Sequence, residues 1–238
     1  MHHLGLTRSS RQVDHILLTP DTFVRAPLPG MRNATAIVHA SPAMGACFTQ
    51  YTAELNANGE IAPCSVQRFI YVLEGEIDVR GQRLNAESYA YFPSGARTAI
   101  CSPGNARLAV IEKPYVPLDG SSSTKEISGN EHEIKSQPLG NGLEVRILVP
   151  EDPIFDFAVN TMIYQPGAAL PMVESHVMEH GLLMLQGEGI YRLDEDWHPV
   201  QAGDIIWMGP FCPQWFGALG KEPTAYLYYK DMNRHALD

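Results

Sequence analysis

The chain repeats itself, and this constrains its fold more than any other feature. Phe69-Ile-Tyr-Val-Leu-Glu-Gly-Glu matches Leu182-Leu-Met-Leu-Gln-Gly-Glu when Gly75 and Gly187 are aligned. Downstream, Asn85-Ala-Glu-Ser-Tyr-Ala-Tyr-Phe-Pro matches Gln201-Ala-Gly-Asp-Ile-Ile-Trp-Met-Gly. Each half reads strand, glycine turn, strand, small loop, strand, turn. A tandem pair of one β unit is the economical explanation.

The rest of the chain agrees. Short β-type runs such as Thr35–His39, Cys47–Leu55, Leu108–Glu112, Leu143–Leu148 and Asn160–Tyr164 recur, and helical periodicity is absent apart from a turn or two near the termini. With 18 prolines and 20 glycines in 238 residues, turns outnumber the places where a long helix could run. The expected fold class is all-β, as two tandem jelly-roll barrels; one large sandwich is the rival. The expected partition is an N-terminal barrel over 1–120, a Ser- and Gly-rich connecting segment over 121–138, and a C-terminal barrel over 139–238.

Charge and cysteine usage narrow the partners. A formal net charge of -10 argues against nucleic acid. No apolar run is long enough to span a bilayer, so no membrane partner is expected. The N-terminus lacks the apolar stretch of a signal peptide, and the four scattered cysteines suit reduced thiols, so a cytoplasmic location is expected. Exposed sheet edges favour a homo-oligomer.

The chemistry concentrates between Gly167 and Gly187, where Glu174, His176 and His180 stand at i, i+2 and i+6, all even-numbered offsets. On a strand they would share one face and converge. Convergent N and O donors are what a divalent cation requires. Farther on come Gly203-Asp204 and then Gln214. This spacing resembles the two metal motifs of the cupin superfamily, with the ligands permuted: Glu174, His176, His180 and Gln214 as the metal set. Two imidazoles, a carboxylate and an amide, with no thiolate, read as manganese or iron in an octahedral site; iron, zinc or nickel could load in vitro. Each residue also has a bland reading, as a satisfied core histidine or, for Gln214, a loop amide. In the first half the matching positions are Ala62, Cys64, Arg68 and Thr98, which would not hold a divalent ion. That barrel is expected to be structural; a minority reading has Arg68 or Arg97 reach a ligand pocket.

The last strand run, Thr224–Lys230, places Tyr226, Tyr228 and Lys230 on one face. Pointing inward, Lys230 would clamp a carboxylate and Tyr226 would donate a hydrogen bond. Pointing outward, the lysine reaches water from an edge strand. Tyr191 faces either the lumen or the core.

Beyond the superfamily, His176-Val-Met-Glu-His-Gly, Gly187-Glu-Gly-Ile-Tyr-Arg-Leu-Asp, Trp197, Gly203-Asp204 and Tyr229-Lys-Asp-Met-Asn-Arg resemble the (S)-ureidoglycine aminohydrolases, bicupin enzymes of purine (allantoin) catabolism. The resemblance implies a C–N hydrolase that releases ammonia from (S)-ureidoglycine, a small ureido acid, to give (S)-ureidoglycolate. It implies Mn2+ on Glu174, His176, His180 and Gln214. It further implies substrate contacts from Tyr191, Tyr226 and Lys230 beside Glu174, with Lys230, Tyr226 and Tyr191 as the catalytic candidates. The general acid or base stays open among Tyr191, Tyr226 and a metal-bound water. Alternatives are another metal-dependent cupin enzyme, such as a dioxygenase or isomerase, and a non-catalytic small-molecule binding protein.

Overall fold

The computed structural model describes residues 6–118 and 124–231. Its regular structure is strand plus three short 3-10 turns, with no α-helix among the described residues. Val24–Ile134 with Asp152–Asp156 forms one compact unit; Met1–Phe23, Lys135–Glu151 and Phe157–Asp238 form another.

The first unit is a nine-stranded sheet. Thr49–Ile61 pairs antiparallel with both Met31–Ala40 and Ala106–Lys113, and Gln67–Glu74 sits between Ala106–Lys113 and Ser88–Phe92. Its core gathers Ile70, Val72, Ile77, Ala90 and Val110.

The second unit has an eight-stranded and a three-stranded sheet. In the larger, His180–Gln186 lies between Ile205–Met208 and Thr224–Lys230. In the smaller, Glu188–Leu193 lies between Asp196–Gln201 and Gln214–Ala218. Leu182, Met184, Tyr164 and Tyr226 from the larger sheet meet Tyr191 and Phe216 from the smaller in one core. Alternation along each strand delivers these side chains to the enclosed face.

The repeated glycines do the same job twice. Gly75 and Gly187 have φ of +78° and +75°. A Cβ on Gly75 would stand 2.2 Å from the Asn105 carbonyl oxygen; one on Gly187 would stand 2.7 Å from Thr224 Cα. Only glycine combines that backbone with that close approach.

The observed units differ from the partition expected over 1–120, 121–138 and 139–238. His15–Leu18 pairs with Ile205–Met208, and Leu17 is buried in the core of the second unit. The segment covers a sheet edge that would otherwise present unpaired N–H and C=O groups. Ile127–Asn130, inside the expected connecting segment, pairs with Ser88–Tyr91 and extends the first sheet. The Ser-rich residues 119–123 lie outside the described residues.

Candidate metal centre and substrate cavity

Glu174 and His176 do not ride on the same strand as His180, contrary to the expectation from their spacing. The strand begins at His180. Before it, Pro166, Gly167 and Pro171 break regular pairing, and the segment is tied down by isolated bridges, Ala169 to Gly217 and Glu174 to Gln214. The second bridge is closed twice: Glu174 N–H donates to the Gln214 carbonyl at 2.8 Å, and Gln214 N–H to the Glu174 carbonyl at 2.8 Å. Phe211 N–H donates to the His176 carbonyl at 2.8 Å. Backbone pairing with a segment far along the chain therefore brings Glu174 and His176 beside Gln214.

The opposite wall comes from strand register. His180 stands opposite Lys230, Leu182 opposite Tyr228, and Met184 opposite Tyr226. Tyr226, Tyr228 and Lys230 do share the inward face that alternation predicts. Together with Glu174, His176, His180, Tyr191 and Gln214 they line a cavity of about 290 Å³, which suits a small polar molecule. The seven residues given a metal, substrate or catalytic role from sequence are all in this lining, and Tyr228 joins them.

Their partners differ in kind. Tyr191 donates from its hydroxyl to Gln214 Oε1 at 2.9 Å, so it orients the amide. Gln214 Nε2 is 3.1 Å from His176 Nε2, and His176 Nε2 is 3.9 Å from Glu174 Oε2. The His176 and His180 rings lie 4.7 Å apart, centroid to centroid. The Tyr226 and Tyr164 hydroxyls are 2.8 Å apart, and Asn160 Nδ2 donates to the Tyr228 hydroxyl at 3.1 Å. Lys230 Nζ is 3.3 Å from Glu151 Oε1.

Burial sets the protonation states. It pushes the His180 imidazole down to about 3, helped by His176 and Lys230, so the ring is neutral and carries a lone pair. Burial holds the phenols of Tyr191 and Tyr226 well above their ordinary value, each raised further by the other tyrosines nearby. Both therefore keep their protons near neutral pH and serve as donors, not as bases.

The donor set fits a divalent cation of borderline-to-hard character. It offers neutral imidazole, a carboxylate and an amide oxygen. His176 Nδ1 and His180 Nδ1 are buried without a hydrogen-bond partner. Exchanging the two ends of the Gln214 amide would turn its oxygen toward His176 without changing the side chain's outline, and the Tyr191 hydroxyl would then accept from the amide NH2 instead of donating to its oxygen. Among the described residues, the His/Cys/Asp/Glu triads with ligand atoms all within 4.8 Å of one another lie elsewhere. Glu174, His176 and His180 are thus gathered around the cavity and are not closed onto a single point.

Glu151, Asn160 and Tyr164 were missed as neighbours of the site, and Tyr228, placed on the inward face, was given no role. Asn160 could have been found from strand pairing, since it stands directly opposite Tyr228. Glu151 carries no local signal; only the fold brings it to Lys230.

In the first unit the matching region is filled. Arg68, aligned with His180, donates from Nε to Glu112 Oε1 at 2.7 Å and from Nη1 to the Ala62 carbonyl at 3.0 Å. The Tyr51 hydroxyl adds a bond to Glu112 Oε1 at 3.0 Å. An organic ion pair occupies this interior, and Arg68 is engaged inside its own unit.

A model of the cupin domain matches residues 160–229, which contain every one of the seven residues except Lys230. The (S)-ureidoglycine aminohydrolase of Arabidopsis thaliana is 41% identical over 98% of this chain and 80% of its own length. The (S)-ureidoglycine aminohydrolase of Escherichia coli (strain K12) is 32% identical over 92% of this chain and 88% of its own. The crystal structure of protein Ylba from E. coli superimposes with a TM-score of 0.85 at 29% identity, covering 97% of this chain and 96% of that one.

Proposed function

The chain belongs to the (S)-ureidoglycine aminohydrolase family, an all-β bicupin enzyme family, and from that premise we propose a manganese-dependent hydrolase whose site is the cavity around Glu174. It takes (S)-ureidoglycine and water to (S)-ureidoglycolate and ammonia, a step of allantoin degradation. One C–N bond breaks, one C–O bond forms at the same carbon, and the amine leaves as ammonia.

Glu174, His176, His180 and Gln214 are the residues that would hold the ion. When bound, Mn2+ supplies Lewis-acid stabilisation of negative charge at the reacting centre. The side chains do the rest. Lys230 Nζ pairs with the substrate carboxylate, taking over from Glu151. Tyr226 and Tyr228 keep their phenolic protons and donate to substrate oxygens. Tyr191 acts through Gln214, holding the amide in place. Phe216 packs edge-on against Tyr226, and Tyr164 lies beside it, which fixes the Tyr226 ring in the cavity wall. A substrate gripped at its carboxylate and ureido ends presents one face of its central carbon, which makes the outcome stereospecific.

One observation supports this reading above the others: residues from three separate chain segments, 174–180, 214 and 226–230, line the same cavity with Tyr191. The Glu174→Ala variant should lose bound metal, and its turnover should fall by at least about 100-fold. A metal-free Glu174→Ala protein with full activity contradicts the assignment.

A further inference from the structure

Beside the segment that delivers Gln214 lies a second group of ligating side chains that the proposed chemistry does not use. His15 opens the strand His15–Leu18, opposite Met208. Asp196 and His198 lie on Asp196–Gln201, where His198 stands opposite Tyr191. One ligand atom from each of His15, Asp196 and His198 lies within 4.8 Å of the other two. The two imidazole rings are 6.1 Å apart, centroid to centroid.

The hydrogen-bond pattern points to a missing partner. His15 is only 1% exposed, and its Nε2 is buried with no hydrogen bond. His198 Nε2 is buried and unpartnered too. An orphaned buried polar atom costs free energy that native structures normally avoid. The other nitrogen of His15 is engaged: Nδ1 is 3.0 Å from Asp14 Oδ1. A carboxylate on Nδ1 keeps the proton there and leaves the Nε2 lone pair free. This is the outer-shell arrangement that supports metal-ligating histidines. The neighbouring triad of Asp14, His15 and Cys212 is the poorer site. It would use Nδ1, already taken by Asp14, and Cys212 Sγ is 3.9 Å from that atom.

We propose that His15 Nε2, His198 Nε2 and the Asp196 carboxylate form a second divalent-cation site, of the Zn2+ class, distinct from the Glu174 cavity. Two neutral imidazoles and one carboxylate leave a fourth, tetrahedral position for water. Asp196 is exposed and His198 half-buried, so the ion enters from solvent. Once bound, it staples the N-terminal strand to the hairpin Glu188–Gln201.

The test uses the full chain carrying Glu174→Ala and His176→Ala, so that the result stands apart from the reading of the cavity. Metal-stripped protein is dialysed against Zn2+, the bound metal is counted by mass spectrometry, and the thermal midpoint is followed. The parent should retain one Zn2+ per chain, and its midpoint should rise as Zn2+ is added. Adding His198→Gln at the half-buried position, or Asp196→Asn at the exposed one, should weaken binding by at least about 100-fold and abolish the midpoint shift. Asp14→Asn should weaken it by about 10- to 100-fold. A parent that holds no Zn2+, or a His198→Gln protein that binds as tightly as the parent, overturns the proposal.

Discussion

Lys230 closes its strand with its ammonium 3.3 Å from Glu151, a carboxylate that is itself 39% exposed at the side chain. The pair is exchangeable from the Glu151 side, because that partly exposed carboxylate can return to water at little cost, whereas the Lys230 side chain is only 17% exposed. An arriving substrate carboxylate replaces Glu151 on Lys230, and Glu151 is released to solvent. In the Lys230→Met variant the substrate loses a charged hydrogen bond, roughly 1.5–3 kcal/mol. KM should rise by about 10- to 100-fold while the unfolding midpoint moves little; an unchanged KM in steady-state ammonia release counts against the clamp. At this scale the sequence was informative where types are rare. Histidines and a glutamate at even-numbered offsets, and a lysine on a tyrosine-rich strand, stand out against the background. Asn160, Tyr164 and Glu151 look ordinary in sequence, because their role comes only from what stands opposite them.

Elements were legible in proportion to how far they stabilise themselves. Thr224–Lys230, dense in aromatic and branched residues, matches the sequence reading at both ends. His15–Leu18, Asp196–Gln201 and Gln214–Ala218 were not singled out as strands. The first has only four residues, the second carries Pro199 and two charged or polar ends, and the third follows a proline. Each is a strand because a partner strand is waiting. The segment before His180 shows the reverse: the spacing suggested a strand, and an irregular, proline-broken segment held by isolated bridges brings Glu174 and His176 to the cavity instead. The N-terminal strand earns its place through burial, since Leu17 is 0% exposed in the core of the second unit. Leu17→Ala should therefore cost about 2–5 kcal/mol. Denaturant unfolding reads this directly, and a variant as stable as the parent shows that the strand is dispensable.

At the scale of the whole molecule, duplication explains two units of like design and unlike content. The fold class was readable because glycine turns and strand runs recur at matched positions. The boundaries were not, since the N-terminal strand belongs with residues far along the chain. One unit keeps the cation donors; in the other, Arg68, Glu112 and Tyr51 fill the equivalent interior. That first unit carries a pH liability of its own. His39, 1% exposed, is pushed by burial down to about 3. Its imidazole is neutral in the fold and ordinary in the unfolded chain, so between about pH 3 and 6.5 the unfolded state binds more protons. The stabilisation is present above about 6.5 and is lost as pH falls. From pH 7 to 5 this residue alone should remove about 2 kcal/mol. In His39→Gln that increment should vanish from the difference between unfolding free energies at the two pH values. An identical pH dependence in both proteins refutes it.

The central claim is that the donors and clamps of the second unit act on a single small ureido acid. The most direct measurement incubates the manganese-loaded protein with freshly generated ureidoglycine, without oxygen, and follows ammonia together with the handedness of the product. The account predicts one ammonia per substrate consumed and a single enantiomer, (S)-ureidoglycolate. Ammonia release no faster than the spontaneous reaction, or a racemic product, contradicts it.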